Sequence, residues 1–150
     1  MIRTGLILTC VGRVRRLQKR TDDAYSLAQR AASVCPVATG ERSVWSIQAY
    51  YRLACDEFDR EKYLEAHSLS DKVISLTDET VSSFRAIAAS GNWKLGRTLF
   101  REGGSDNEDE AQILLDRAMD IRHELIPDDD RKEEDLNDAN WDELVFYLFR

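Results

Sequence analysis

Residues Tyr50 to Val73 read YYRLACDEFDREKYLEAHSLSDKV. Tyr50, Leu53, Ala54 and Phe58 fall on one helical face by their spacing, Asp59-Arg60-Glu61-Lys62 breaks the pattern, and Tyr63, Ala66, Leu69 and Val73 make a second face. The stretch is a pair of amphipathic helices joined by a short polar turn, and it recurs at a step of 42 residues. One step back, Leu8, Val11, Gly12 and Arg16 take the first-helix places, and Ala24 and Ala31 the second-helix places. One step forward, Asn92 with Trp93 beside it, Leu95, Gly96 and Phe100 stand in the first helix. A small residue therefore sits in each first helix, at Gly12, Ala54 and Gly96. Each second helix has its own, at Ala24, Ala66 and, three positions later than the step, Ala111. The extra residues are expected in Gly103-Gly104-Ser105-Asp106-Asn107, where an insertion lengthens only a turn.

Antiparallel helices approach closely only where both carry small side chains, with larger residues a turn away filling the remaining space. Gly12 with Ala24, Ala54 with Ala66, and Gly96 with Ala111 are the predicted close approaches. Ala31, Val73 and Ala118, seven positions further on, are where the following repeat is expected to pack. The pattern predicts an all-α chain forming one helical-repeat domain over 1–150, with repeats at about 5–38, 47–80 and 84–125. An acidic linker over 126–139 and a capping helix over 140–149 follow. Asn140 and Glu143 have capping-box spacing, and Trp141, Leu144, Val145 and Leu148 share an apolar face. That helix closes the last exposed face of the array or serves as an amphipathic segment for a partner.

At 150 residues and 43% hydrophobic, the chain is long enough for a core without disulfide staples. Its charge is polarised: residues 1–50 carry 8 basic and 3 acidic side chains, whereas 101–150 carry 6 and 17. The net charge of −7 argues against nucleic acid as a partner, with the basic head of Arg13, Arg15, Arg16, Lys19 and Arg20 read as a helix face and turn. Cys10, Cys35 and Cys55 form no CxxC pair and are expected to be reduced apolar fillers. Gly5 to Gly12 is too short and weakly apolar for a signal peptide, and the acid-free start suits the repeat better than a mitochondrial presequence. No apolar run approaches the length that spans a bilayer, so no membrane partner is expected and the expected location is cytoplasmic.

Catalytic chemistry has little to work with. His67 and His123 stand alone, with no HExxH, phosphate-binding glycine loop or calcium-loop order around Asp106, Glu108, Asp109 and Glu110. No enzyme activity, catalytic residue, metal or cofactor is expected.

The signature positions Leu8, Val11, Gly12, Ala24, Ala28, Ala31 and Pro36, then Tyr50, Leu53, Ala54, Tyr63, Ala66 and Val73, then Leu95, Gly96, Leu99, Ala111, Leu115 and Ala118, resemble the tetratricopeptide repeat family. The long step, with the segment from Ala118 to Asp129, is similar to the variety in kinesin light chains and in the C-terminal arrays of fungal NTPase receptors. The pattern departs from the family's at Arg15 and Glu57, where an aromatic is usual, and at Asp78, where proline is usual. The resemblance implies a right-handed α-solenoid of antiparallel helix pairs whose first helices line a concave, peptide-binding groove. By position that groove has Thr9, Arg13 and Arg16 from the first repeat and Gln48, Tyr51, Cys55 and Asp59 from the second. Trp93, Arg97, Phe100 and Arg101 come from the third. Arginines among aromatics suit a protein or peptide ligand that is acidic and partly apolar. The alternative the resemblance raises is a sensing or autoinhibitory C-terminal fragment of a larger fungal NTPase receptor. The nine acids between Leu125 and Glu143 are further expected to fold back onto the groove arginines, in cis or on a neighbouring copy, and to compete with outside ligands.

Overall fold

The computed structural model describes residues 2–144. They form six long helices: α1 (Ile2–Leu17), α2 (Thr21–Thr39), α3 (Val44–Asp59), α4 (Tyr63–Leu76), α5 (Ser82–Glu102) and α6 (Ser105–Leu125). A 3-10 turn at Glu133–Asp135 and a short helix, α7 (Asp138–Asp142), follow. The chain is all-α as expected, with no strand among the described residues. Each long helix folds back on the one before it, α1 also meets α3 and α3 meets α5, and α7 packs on α5.

The three pair-closing turns carry the 42-residue step in their backbone. Lys19, Glu61 and Gly103 occupy equivalent places and all have positive φ, of 58°, 60° and 77°, with Gly103 at a ψ of 175° in a region open essentially to glycine alone. In the first, the Lys19 amide donates to the Arg16 carbonyl and the Arg20 amide to that of Arg15; in the second, Glu61 donates to Phe58 and Lys62 to Glu57. These bonds satisfy the last carbonyls of α1 and α3 as glycine-type C-caps do. Only the third turn has the glycine that this conformation favours; Lys19 and Glu61 carry the steric cost of a Cβ there. Lys19→Gly and Glu61→Gly should each raise the unfolding free energy by up to about 1 kcal/mol despite the freer unfolded chain, and Gly103→Ala should lower it by about 1–3 kcal/mol, because its ψ of 175° puts it where alanine is strained. Urea melts of the three variants check this.

The additional residues of the third pair do not lengthen a turn, which corrects the expectation. Gly103 and Gly104 alone separate α5 from α6, whereas three residues separate each earlier pair. The insertion extends the helices: α6 starts six residues before Ala111, while α2 and α4 start three residues before Ala24 and Ala66. Helix continues because Asp106 and Glu108 in the first turn of α6 favour its N-terminus.

Small residues sit where close packing requires them. A Cβ on Gly96 would lie 2.9 Å from Leu115 Cγ and 3.0 Å from the Ala111 carbonyl oxygen. Gly12 has more room, with Leu27 Cβ at 3.6 Å and the Ala24 carbonyl at 3.9 Å, so the first pair is the looser one. Ala54 and Ala66 are both fully buried. Between pairs, Ala31 packs with Ala49, and one step later a Cβ on Gly91 would meet Val73 Cγ1 at 3.0 Å. The core grows along the chain accordingly. Leu8, Ala31, Cys35 and Ala49 make a thin first cluster, and Ile47, Tyr50, Tyr51, Cys55, Val73 and Ile87 a larger second one. Trp93, Ala118, Ile121, Leu136 and Trp141 dominate the third.

The C-terminal helix begins earlier than expected. Asn137, not Asn140, caps it: the Asn137 side chain accepts from the Ala139 and Asn140 amides, and the Asn140 side chain accepts from the Asn137 amide. An asparagine at the fourth position closes the box as well as the expected Glu143 would have, and this register turns Trp141 into the core. Within the expected cap of 140–149, Trp141 and Leu144 pack on α5 and α6, while Val145 and Leu148 lie outside the described residues.

Candidate functional site

The acidic segment after α6 lies across α5 and reaches α3. The Arg122 side chain of α6, almost wholly buried, anchors its start. Arg122 pairs with Asp129 and donates to the Asn140 carbonyl at 2.9 Å, and its guanidinium stands 5.3 Å from the Trp141 ring centroid. Asp129 also accepts from Arg131 at 2.8 Å. Hydrogen bonds from Arg131 and then Arg122 hold the Asp129 carboxyl well below the usual carboxylate range.

Further along, the segment meets residues of the first helices. The Trp93 indole N–H donates to Glu133 at 2.9 Å, and Arg97 lies 3.6 Å from the same carboxylate. Lys94 Nζ reaches Asp138 at 2.7 Å, and Arg52 reaches Asp142 at 2.8 Å. Trp141 stacks on Trp93 with ring centroids 5.3 Å apart. Arg52 and Lys94 are one 42-residue step apart, so the repeat places two cations on one side of the stack, facing two carboxylates one helical turn apart. The Lys94 side chain is 1% exposed while that of Asp138 is 36% exposed, so the cation forms the floor and the acid the rim. Burial opposes the Lys94 charge, but the acidic groups around it, Cys55 and Asp138 foremost, more than offset this and raise its pKa. Its ammonium also lies 4.6 Å from the Phe58 ring centroid and 5.0 Å from that of Trp93.

The residues proposed from sequence to line the groove divide into several environments. Thr9, Arg13 and Gln48 come together in a groove between α1, α2 and α3, which Arg52 also lines. Arg16 shares that groove but spends its guanidinium on Asp56 of α3, at 2.5 and 2.8 Å. Tyr51, fully buried, belongs to the core between α3, α4 and α5, and Cys55 packs beside it. Asp59 lines a polar cleft with Asp22, Tyr25 and Arg60, where burial and then nearby Asp138 raise its carboxyl. Trp93 and Arg97 meet Lys94 and Asp138 in another cleft. Arg101 stands apart, beside Glu61 and Glu65 at the turn end of the stack, and Phe100 is exposed. The sequence reading overlooked Arg52, Lys94 and Arg122. The first two carried a usable signal, since both are basic at equivalent places in successive first helices.

Burial pushes the Cys55 thiol up to about 11, with Asp138 and Asp142 adding to the shift against Lys94 and Arg52. Burial also raises Cys35. Cys10 is only half-buried. Alkylation of the native chain is therefore expected to label Cys10 first and to reach Cys35 and Cys55 only on unfolding, read out by peptide mass mapping. Equal rates at all three would show that the packing around Cys35 and Cys55 is open to solvent.

Among the described residues no group of three His, Cys, Asp or Glu side chains is arranged to hold a metal, and no helix is long and apolar enough to cross a membrane. No family model, curated protein or solved structure matches this chain.

Proposed function

We propose that the three helix pairs form a solenoid of the tetratricopeptide kind, and that the chain is a protein-binding module that takes an acidic, partly apolar peptide along its first helices. Two features support the solenoid: positive-φ turns spaced by 42 residues, and direct packing of α1 on α3 and α3 on α5. The observation that carries the binding reading is the seating of Glu133, Asp138, Trp141 and Asp142 on Trp93, Arg97, Lys94 and Arg52. That is a peptide segment held on α3 and α5 through carboxylates and one aromatic ring. Arg13 extends the same basic character along α1 toward a ligand's far end.

Binding of labelled acidic peptides carrying an aromatic residue to the full chain, followed by fluorescence anisotropy, tests the proposal. Affinity should fall steeply as salt rises, because solvated charge pairs are screened. Arg13→Glu with Arg97→Glu should weaken binding by roughly tenfold, the cost of two partly solvated charge contacts. Salt-independent binding, or binding indifferent to the double reversal, would count against the inner face.

A further inference from the structure

Resting on that reading, we infer that the face formed by Arg52, Lys94 and Trp93 recognises, on another protein, a short acidic helical segment of pattern Asp-x-x-Trp-Asp, of which residues 138–142 are the chain's own copy. The spacing is complementary. Asp138 and Asp142 stand one helical turn apart, matching Arg52 and Lys94 on adjacent helices, and the tryptophan between them stacks on Trp93. With residues 138–142 seated, the Lys94 side chain is 1% exposed and that of Arg52 16% exposed, so each cation is enclosed with its carboxylate and any segment that replaces 138–142 must supply carboxylates at the same two places.

The segment in cis meets that demand incompletely. Tyr51 Oη and Trp141 Nε1 are both buried at 0% exposure and make no hydrogen bond among the described residues. A buried donor without an acceptor costs free energy, so an occupant that keeps the two carboxylates and gives its indole N–H an acceptor binds in preference to residues 138–142. The seated helix is also only five residues long, too short to hold its shape without the face beneath it. It is thus a self-ligand tethered by Arg122 and Asp129 and released when a better-matched segment arrives.

The test uses a fluorescein-labelled peptide of residues 130–144, the same peptide with both aspartates replaced by asparagine, and a scrambled peptide of the same composition. Each is titrated at low ionic strength against the full chain and against Asp138→Asn/Asp142→Asn, whose own segment holds the face less well. The labelled peptide should bind the double variant roughly tenfold more tightly than wild type, because a site occupied in cis reduces apparent affinity by the fraction left open. Cys55, which lies under α7, should alkylate faster in the double variant and be protected again by the peptide. Equal affinity for the two chains, equal binding of the asparagine peptide, or a peptide-free dimer at micromolar concentration overturns the inference, the last by assigning the face to a second copy. Scrambled peptide binding as tightly as the ordered one overturns the pattern and leaves the general binding reading standing. No binding of any peptide to either chain overturns both.

Discussion

Trp141→Ala is expected to lower the unfolding free energy by about 3–5 kcal/mol, the range for removing a large, fully buried aromatic. Trp141 has 0% exposure and packs among Ala88, Ala89, Trp93, Ala118, Ile121 and Leu136, so its removal leaves a void that the close-packed helices around it fill only in part. It also removes the stack on Trp93. Trp141→Phe keeps a ring over Trp93 and gives up an indole N–H that makes no hydrogen bond among the described residues, so its cost should stay under about 2 kcal/mol. Chemical denaturation of both variants measures the difference. Similar losses for the two would mean that neither a ring over Trp93 nor the volume phenylalanine restores sets the contribution, but the indole itself.

Arg122→Met is the second large effect, expected at about 3 kcal/mol because the change breaks a buried ionic contact from one side. Methionine keeps much of the volume, but Asp129 loses one of its two guanidinium partners and the Asn140 carbonyl loses its donor. The anchor of the acidic segment should loosen before the helix pairs do, so Cys55 alkylation should accelerate at denaturant concentrations where far-ultraviolet helicity is unchanged. Acid should act at the same point. Since the folded chain holds Asp129 below the ordinary carboxylate value of about 4, its contribution is complete above that value and is lost as pH falls through the range beneath it. The Trp93–Trp141 fluorescence change should therefore begin below about pH 4 in the native chain, and its acid dependence should weaken but persist in Arg122→Met, since Arg131 still holds the Asp129 carboxyl down.

Much of the helical plan was legible because it depends on local rules. Gly12, Ala54 and Gly96 announce close approaches that need no knowledge of distant contacts, and Asp59 to Lys62 breaks a helix wherever the pair is placed. The extra residues near Gly103 were misassigned because glycine signals a turn, while its length is settled by how far each flanking helix can pack against the other. The cap was misplaced by three residues because Asn137 and Asn140 are equivalent as local signals, and only burial of Trp141 chooses between them.

The groove was less legible, and the reason is one of register. A face label from a repeat says which side of a helix a residue takes, but not what covers it. Tyr51 was expected on an open inner face and is enclosed by α4 and α5; Arg16 was expected to face a ligand and instead ties α1 to α3 through Asp56. Trp93 and Arg97 lie under the chain's own acids, both against Glu133.

The all-α class, the 42-residue step and the segregation of acids to the last third of the residues follow from periodicity and charge, which are properties of neighbours along the chain. Tertiary structure alone decided that Arg122 and Asp129 pin the acidic segment, and that Asp138 and Asp142 meet Lys94 and Arg52. Those pairs join residues up to 90 positions apart, and which charges meet at that separation follows from the stacking of helices, which no local signal encodes.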